Sequence, residues 1–147
     1  MRVELHIDTH CEDPRALVYA ARLTPALQNA ISILEKENED VIFTAQAGGK
    51  TYILEPEKIE IIRTEGRELA LYDRAKNRYL LSRPLYELEQ LLGKNFIRIS
   101  KSAIVNIFCI HHVEASFNGT MEIVMKNGVE EIISRGYRQK FKERLGV

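Results

Sequence analysis

The chain predicts a mainly β protein, an elongated antiparallel body with short helices, preceded by a small α/β appendage. Three observations lead there. Short runs rich in β-branched and aromatic residues follow one another closely after residue 47. Paired turn formers, Gly48-Gly49, Asn118-Gly119 and Asn127-Gly128, stand between such runs, where a two-residue hairpin needs positive φ. Helical spacing is confined to the first third, a short stretch at 84–92 and the carboxy-terminal tail.

Taken in order, residues 2–8 alternate Val3, Leu5 and Ile7 against Arg2, Glu4 and His6, which predicts a short amphipathic strand. Asp13 before Pro14 predicts a helix start, with a helical turn at 14–22; Thr24 and Pro25 start a second helix over 24–38. Residues 41–46 and 50–54 form a hairpin about Gly48-Gly49, and the boundary between appendage (1–46) and domain (47–147) falls there. Strands follow at 59–65, 67–73 and 78–82, then a helix at 84–92 with Leu85, Leu88, Leu91 and Leu92 on one side and Gly93 as its stop. The pattern runs on from 96 to Val113, then through 121–125 and 130–134. The tail places Tyr137, Phe141 and Leu145 four apart, with Ser134 as cap and Gly146 as end.

A length of 147 residues suits one domain or a domain with an appendage. No long apolar run, leader or lipidation signal is present, which predicts a cytoplasmic protein. Cys11 and Cys109 are too few for a disulfide framework. The net charge of zero conceals a gradient: four Lys/Arg against eight Asp/Glu in 1–47, eight against eight in 48–93, and nine against five in 94–147. The basic end is the end suited to a polyanion.

Residues 96–106, FIRISKSAIVN, carry the most information. Two apolar strands flank a polar corner of Ser100, Lys101 and Ser102, rigidly held yet exposed, which suits contacts to phosphate oxygens or base edges. Asn106, inside an apolar run, reads as architecture, because a buried amide left unbonded costs about 1–3 kcal/mol.

This stretch resembles the LytTR-type DNA-binding domain of bacterial transcription regulators. Its F-x-R-x-x-[KR]-S-x-x-V-N signature is matched by Phe96, Arg98, Lys101, Ser102, Val105 and Asn106, and ISRGY at 133–137 resembles a second landmark. The resemblance spans roughly 47–147 and implies an elongated β fold that reads promoter direct repeats through loops and strand ends. It also implies a homodimer or two copies bound cooperatively and, by analogy with short regulators encoded beside one, a small membrane protein as a further partner. The amino-terminal third lacks the length and alternation of a receiver domain, so ordinary phosphorelay control is not expected. For the site, the resemblance implies DNA contact by Lys101. Ser100, where many relatives carry histidine, either donates to phosphate or ties the corner to itself.

Arg135 lies where a strand meets a helix start, and an arginine there can grip phosphate or guanine; its structural alternative is an ion pair with Glu130 or Glu131. Arg98 faces the polar side and either meets DNA or buttresses the corner. Arg67 in its turn and Asn118 at a hairpin tip complete the candidates.

Two rival functions remain: a protein-interaction or dimerisation module, and a metal- or thiol-dependent sensor built on His6, His10 and Cys11 or on Cys109, His111 and His112. Alternation puts Cys109 and His111 on one face, but a structural zinc site wants four ligands, so neither metal nor cofactor is expected. Catalysis finds no nucleophile elbow, zinc-helix motif or P-loop, and an enzyme is not expected.

Overall fold

The protein is described by a computed structural model covering residues 1–12, 15–36, 42–115 and 118–147, and it divides into two units, Met1–Asp40 and Val41–Val147. In the first unit a single helix, α1 (Pro25–Lys36), forms among the described residues. Thr24 caps it as expected, its Oγ1 accepting the Leu27 N–H at 3.2 Å. The elements expected before α1 are absent: residues 2–8 make no strand and 15–22 no helix. Asp13 and Pro14, the expected helix start, lie outside the described residues. Alternation alone does not hold a strand. Val3, Leu5 and Ile7 are 81%, 83% and 84% exposed, and a strand without a neighbour has nothing to complete its ladder.

In the second unit β1 (Phe43–Ala47) and β2 (Lys50–Leu54) form the expected hairpin, with Gly48 and Gly49 at φ +56° and +74°. The whole of β1 belongs to the second unit's sheet, whereas a boundary at 46/47 leaves most of it in the appendage. Then come β3 (Ile59–Glu65), β4 (Glu68–Asp73), β5 (Arg78–Leu81), α2 (Leu85–Leu92), β6 (Phe96–Ser100) and β7 (Ala103–Asn106). The seven strands make one antiparallel sheet in the order β2-β1-β5-β4-β3-β7-β6.

A second sheet, β10-β9-β8, is built from β8 (Ile110–Ala115), β9 (Met121–Met125) and β10 (Glu130–Ile133), and α3 (Arg135–Leu145) closes the chain. The strand expected to continue from Asn106 to Val113 is interrupted by a 3-10 turn at Ile107–Cys109. Asn106 causes the break: its Oδ1 accepts the Phe108 N–H at 3.1 Å while its Nδ2 donates to the Ile59 carbonyl at 3.0 Å. The architectural role expected of this residue is met. The Ser134 hydroxyl makes no cap bond; its backbone carbonyl starts α3 by accepting the Tyr137 N–H.

The two cores lie on opposite faces of the large sheet. Alternation sends Ile62 and Ile104 to the cluster under Leu85 and Leu88 of α2, and the register shift between Ile59 and Ile61 puts Ile59 there as well. Ile61, Ala103 and Val105 go to the cluster holding Ile123, Met125 and Ile133 of the small sheet and Phe141 of α3. Tyr137 and Leu145 join Phe141, so the expected apolar face of the tail is realised. A strand covered on both faces loses its polar alternation, which is why Ile59, Glu60, Ile61 and Ile62 are all fully buried.

Glu60 is the polar exception in that run. Its Oε1 accepts the Asn127 N–H at 2.9 Å, and Asn127 in turn donates to the Asp73 carbonyl at 2.9 Å, so the carboxyl ties the β9–β10 turn of one sheet to the other. Its Oε2 is buried with no partner among the described residues. Burial pushes the carboxyl above its ordinary range, against the opposing pull of Asn127, Arg74 and Lys126. A carboxyl whose folded pKa is raised favours folding below its unfolded pKa, and that contribution is lost as pH rises through the folded value. Glu60→Gln, which keeps the acceptor and removes the charge, is therefore expected to gain stability relative to wild type as pH rises from acid to mildly alkaline. Urea midpoints of the two proteins across that range check it; a difference that stays flat with pH shows that the buried charge carries no penalty.

Candidate nucleic-acid interface

The polar corner between β6 and β7 is tied from several directions. Arg98 reaches over it, its Nε donating to the Ser100 carbonyl at 2.9 Å and its Nη2 to the Lys101 carbonyl at 2.6 Å, while Nη1 meets Glu89 of α2 at 3.3 Å. Ser100 is 7% exposed, and its Oγ accepts the Ser102 N–H at 3.1 Å and lies 3.2 Å from the Ser102 hydroxyl. The Thr64 N–H donates to the Ser102 carbonyl at 2.8 Å, anchoring the corner to β3. Lys101 is the residue left pointing outward: it is exposed at the turn, and its ammonium has no hydrogen bond or ion pair among the described residues.

Of the candidate residues, Ser100 and Arg98 are thus spent on the corner itself. Of the two roles weighed for Ser100, the internal tie is the one formed, its hydroxyl bonded to Ser102. Arg98 buttresses, with its guanidinium fork filled by two carbonyls and a carboxylate.

Arg135 opens α3 and is exposed. The ion pair weighed against it does not form; Glu131 pairs with Arg63 at 3.5 Å instead. The N–H of Ser134 donates to the carbonyl of Ile99 at 2.9 Å. That bond lies two residues before Lys101 and one before Arg135, so standard backbone dimensions hold their Cα atoms within roughly 18 Å. Two cations 34 positions apart in sequence are thereby held near one another.

Arg67, exposed in the β3–β4 turn, joins Lys101 and Arg98 in lining an open cavity of about 670 Å³, whose further walls come from β4, β5 and the start of α2. Asn118 is exposed in the β8–β9 connection and lines neither the corner nor this cavity. Sequence reasoning missed Arg83, which also lines the cavity. Its signal was present, a cation set immediately before the proline of a helix start.

The other cations nearby are bound internally. Glu65 takes Arg63 Nε at 3.0 Å, Arg78 Nε at 2.9 Å and the Tyr72 hydroxyl at 2.8 Å, and Arg78 also holds Glu68 at 3.0 Å. Burial raises the Glu65 carboxyl, but these donors outweigh it and keep the pKa below the ordinary value. Cys109 is buried in the 3-10 turn and His111 is exposed, so the shared face expected of them is not formed. No cluster of three or more metal-ligating side chains is found among the described residues. No helix among them is long and apolar enough to cross a membrane.

Known proteins place this geometry in context. The model of the LytTr DNA-binding domain matches residues 49–146. The chain is 30% identical over 114 residues to the sensory transduction protein LytT of Enterococcus faecalis, covering 77% of this chain and 47% of that protein, so it spans about half of that relative's length. Over all 147 residues it is 25% identical to an uncharacterized HTH-type transcriptional regulator of Staphylococcus aureus, of which it covers 99%. Among solved structures, a LytTr DNA-binding domain from Bacillus cereus superposes with a TM-score of 0.68 at 23% identity, covering 74% of this chain and all of that one.

The buttress is testable apart from any ligand. Arg98→Lys keeps the charge and loses the planar fork, and is expected to cost about 1–2 kcal/mol in urea unfolding. Stability equal to wild type shows that the fork does not hold the corner.

Proposed function

The chain belongs to the LytTR family of DNA-binding transcriptional regulators, and from that premise we propose that it reads promoter direct repeats through the β6–β7 corner and the start of α3. Lys101 and Arg135 enter the major groove from one edge, with Arg67 alongside. Ser100 and Arg98 act behind Lys101 by fixing the corner, and Asn118 is assigned no contact. The observation that carries this reading is the Ser134 to Ile99 backbone bond, because it joins two uncommitted cations that the chain otherwise keeps far apart. A span within roughly 18 Å is compatible with one groove of about 12 Å width once the side chains extend.

Selection of bound sequences from random duplex DNA tests it. Lys101→Ala is expected to weaken binding to all selected sites and flatten the salt dependence by about one unit. Arg135→Ala is expected also to relax preference at particular base pairs, by about 1–3 kcal/mol of discrimination. If both variants select wild-type sites with unchanged affinity, the assignment fails.

Direct repeats call for two copies, and the first unit supplies a surface for the second. Val3, Leu5 and Ile7, with Leu17 and Tyr19 at 77% and 91% exposure, leave apolar area bare in the isolated chain. A Leu5→Ser/Ile7→Ser variant is expected to sediment as a lighter species and to lose cooperativity on paired sites while keeping its affinity for a single site. Unchanged sedimentation and cooperativity place the contact between copies elsewhere.

A further inference from the structure

Around the β3–β4 hairpin and the corner, Arg63, Arg78 and Arg98 each find a carboxylate. Three that line the open cavity beside the corner do not: Arg67, Arg83 and Lys101 form no hydrogen bond or ion pair through their side chains among the described residues. Glu68, the acidic residue on the same wall, is already held by Arg78 at 3.0 Å. Like charges gathered around one concavity repel, and the arrangement is favourable only when an anion lies across it.

The anion that suits the cavity is an extended one. The cavity is wide and open, with a floor of half-buried leucines such as Leu69 and Leu81, and its rim runs continuously into Lys101. A duplex engaged by Lys101 lies across its mouth, and what a duplex presents there is its sugar–phosphate backbone. Arg83 is held for such a contact. It precedes Pro84, which restricts it to extended backbone, and Pro84 begins α2 with φ −69° and no capping side chain.

We propose that Arg83 is a further DNA contact, gripping a backbone phosphate on the β5–α2 side of the cavity, outside the base pairs read by Lys101 and Arg135. This rests on the DNA-reading assignment above. Arg83 supplies attraction and register and leaves base preference to the corner and α3.

The test is a fluorescence-anisotropy titration of the full chain on its selected duplex at several salt concentrations, with Arg83→Ala, Arg83→Lys and, as a distant control, Lys50→Ala. Arg83→Ala is expected to flatten the log–log salt slope by about 0.9, so that a fourfold rise in salt costs the variant about 3.5-fold less affinity than it costs wild type. Arg83→Lys keeps the slope, Lys50→Ala leaves it unchanged, and the selected base sequence is the same for all. Phosphate-ethylation interference is expected to lose, in Arg83→Ala alone, positions flanking those where Lys101→Ala and Arg135→Ala act. Wild-type slope and interference in Arg83→Ala overturn the proposal while leaving the DNA-reading assignment standing. So does loss of an inorganic-phosphate chemical-shift response in Arg83→Ala with DNA binding intact, which marks a small-anion site. Failure of the wild-type chain to select any duplex removes both.

Discussion

The structure depends on the burial of β3 and β7 from both sides. Ile61 and Val105 face one core while Ile62 and Ile104 face the other, so these strands cannot shift register without exposing one set of side chains and burying backbone without partners. The proposed contacts at Lys101 and Arg67 hang from that pair. The corner is the loop by which β7 turns into its outer neighbour β6, Arg67 sits in the loop by which β3 turns into β4, and Thr64 bonds the corner to β3 directly. Stiffness at the centre of the sheet therefore becomes positional accuracy at its end. Buried polar groups reinforce this where they are satisfied: Asn106 uses both ends of its amide to stop β7 and start the 3-10 turn. Glu60 works the other way, linking the sheets at the expense of a buried carboxyl with one oxygen unpartnered.

A second principle sorts the cations into two populations. Arg63, Arg78 and Arg98 are consumed by carboxylates and carbonyls of the same hairpins, and Arg144 by the Lys94 carbonyl. Such surface pairs add little stability individually, but they fix where loops point. Arg98 is the clearest case, since its fork closes on the carbonyls on either side of the corner and thereby turns Lys101 outward. Among the cations without such a partner are Lys101, Arg67 and Arg83 around one cavity and Arg135 at the adjoining helix start. The division matters more than net charge, because paired charge is largely cancelled toward a polyanion and unpaired charge is not.

Most of the second unit was legible from sequence, and the reason is local. Gly48, Gly49 and Gly128 take positive φ, and the runs these turns separate pair as neighbours, so turn chemistry and strand pairing agree. The corner was visible because its polar residues interrupt two apolar runs. What the sequence left open was a choice: Ser100 and Arg98 each read either as a contact or as a tie of the corner, and the bonds that decide it, though only two or three residues apart, depend on how the corner folds back on itself. The 3-10 turn after Asn106 hides inside an apolar run because Ile107 and Cys109 suit a strand by composition. In the first unit the failure ran the opposite way: the alternation of Val3, Leu5 and Ile7 is a good strand pattern, yet a strand is defined by a neighbour, and none is provided among the described residues.

The S. aureus relative carries a helix-turn-helix description, and the fold bears on how that word applies here. Among the described residues the three helices are Pro25–Lys36, Leu85–Leu92 and Arg135–Leu145, each separated from the next by strands, so no two are joined by the short turn that sets one helix across the backbone and another in the groove. α3 packs Phe141 and Tyr137 into the core and leaves Arg135 exposed at its start, while α2 buries Leu85 and Leu88. A helix committed along its length to packing cannot lie in a major groove; only its end can. In the proposed reading, recognition is consequently distributed over the ends of elements, a strand corner, a hairpin turn and a helix start. Each contributes one or two cations rather than a row of side chains along a single helix. Such an arrangement is specific only if the separate ends keep fixed spacing, which returns the burden to the doubly buried strands that hold them.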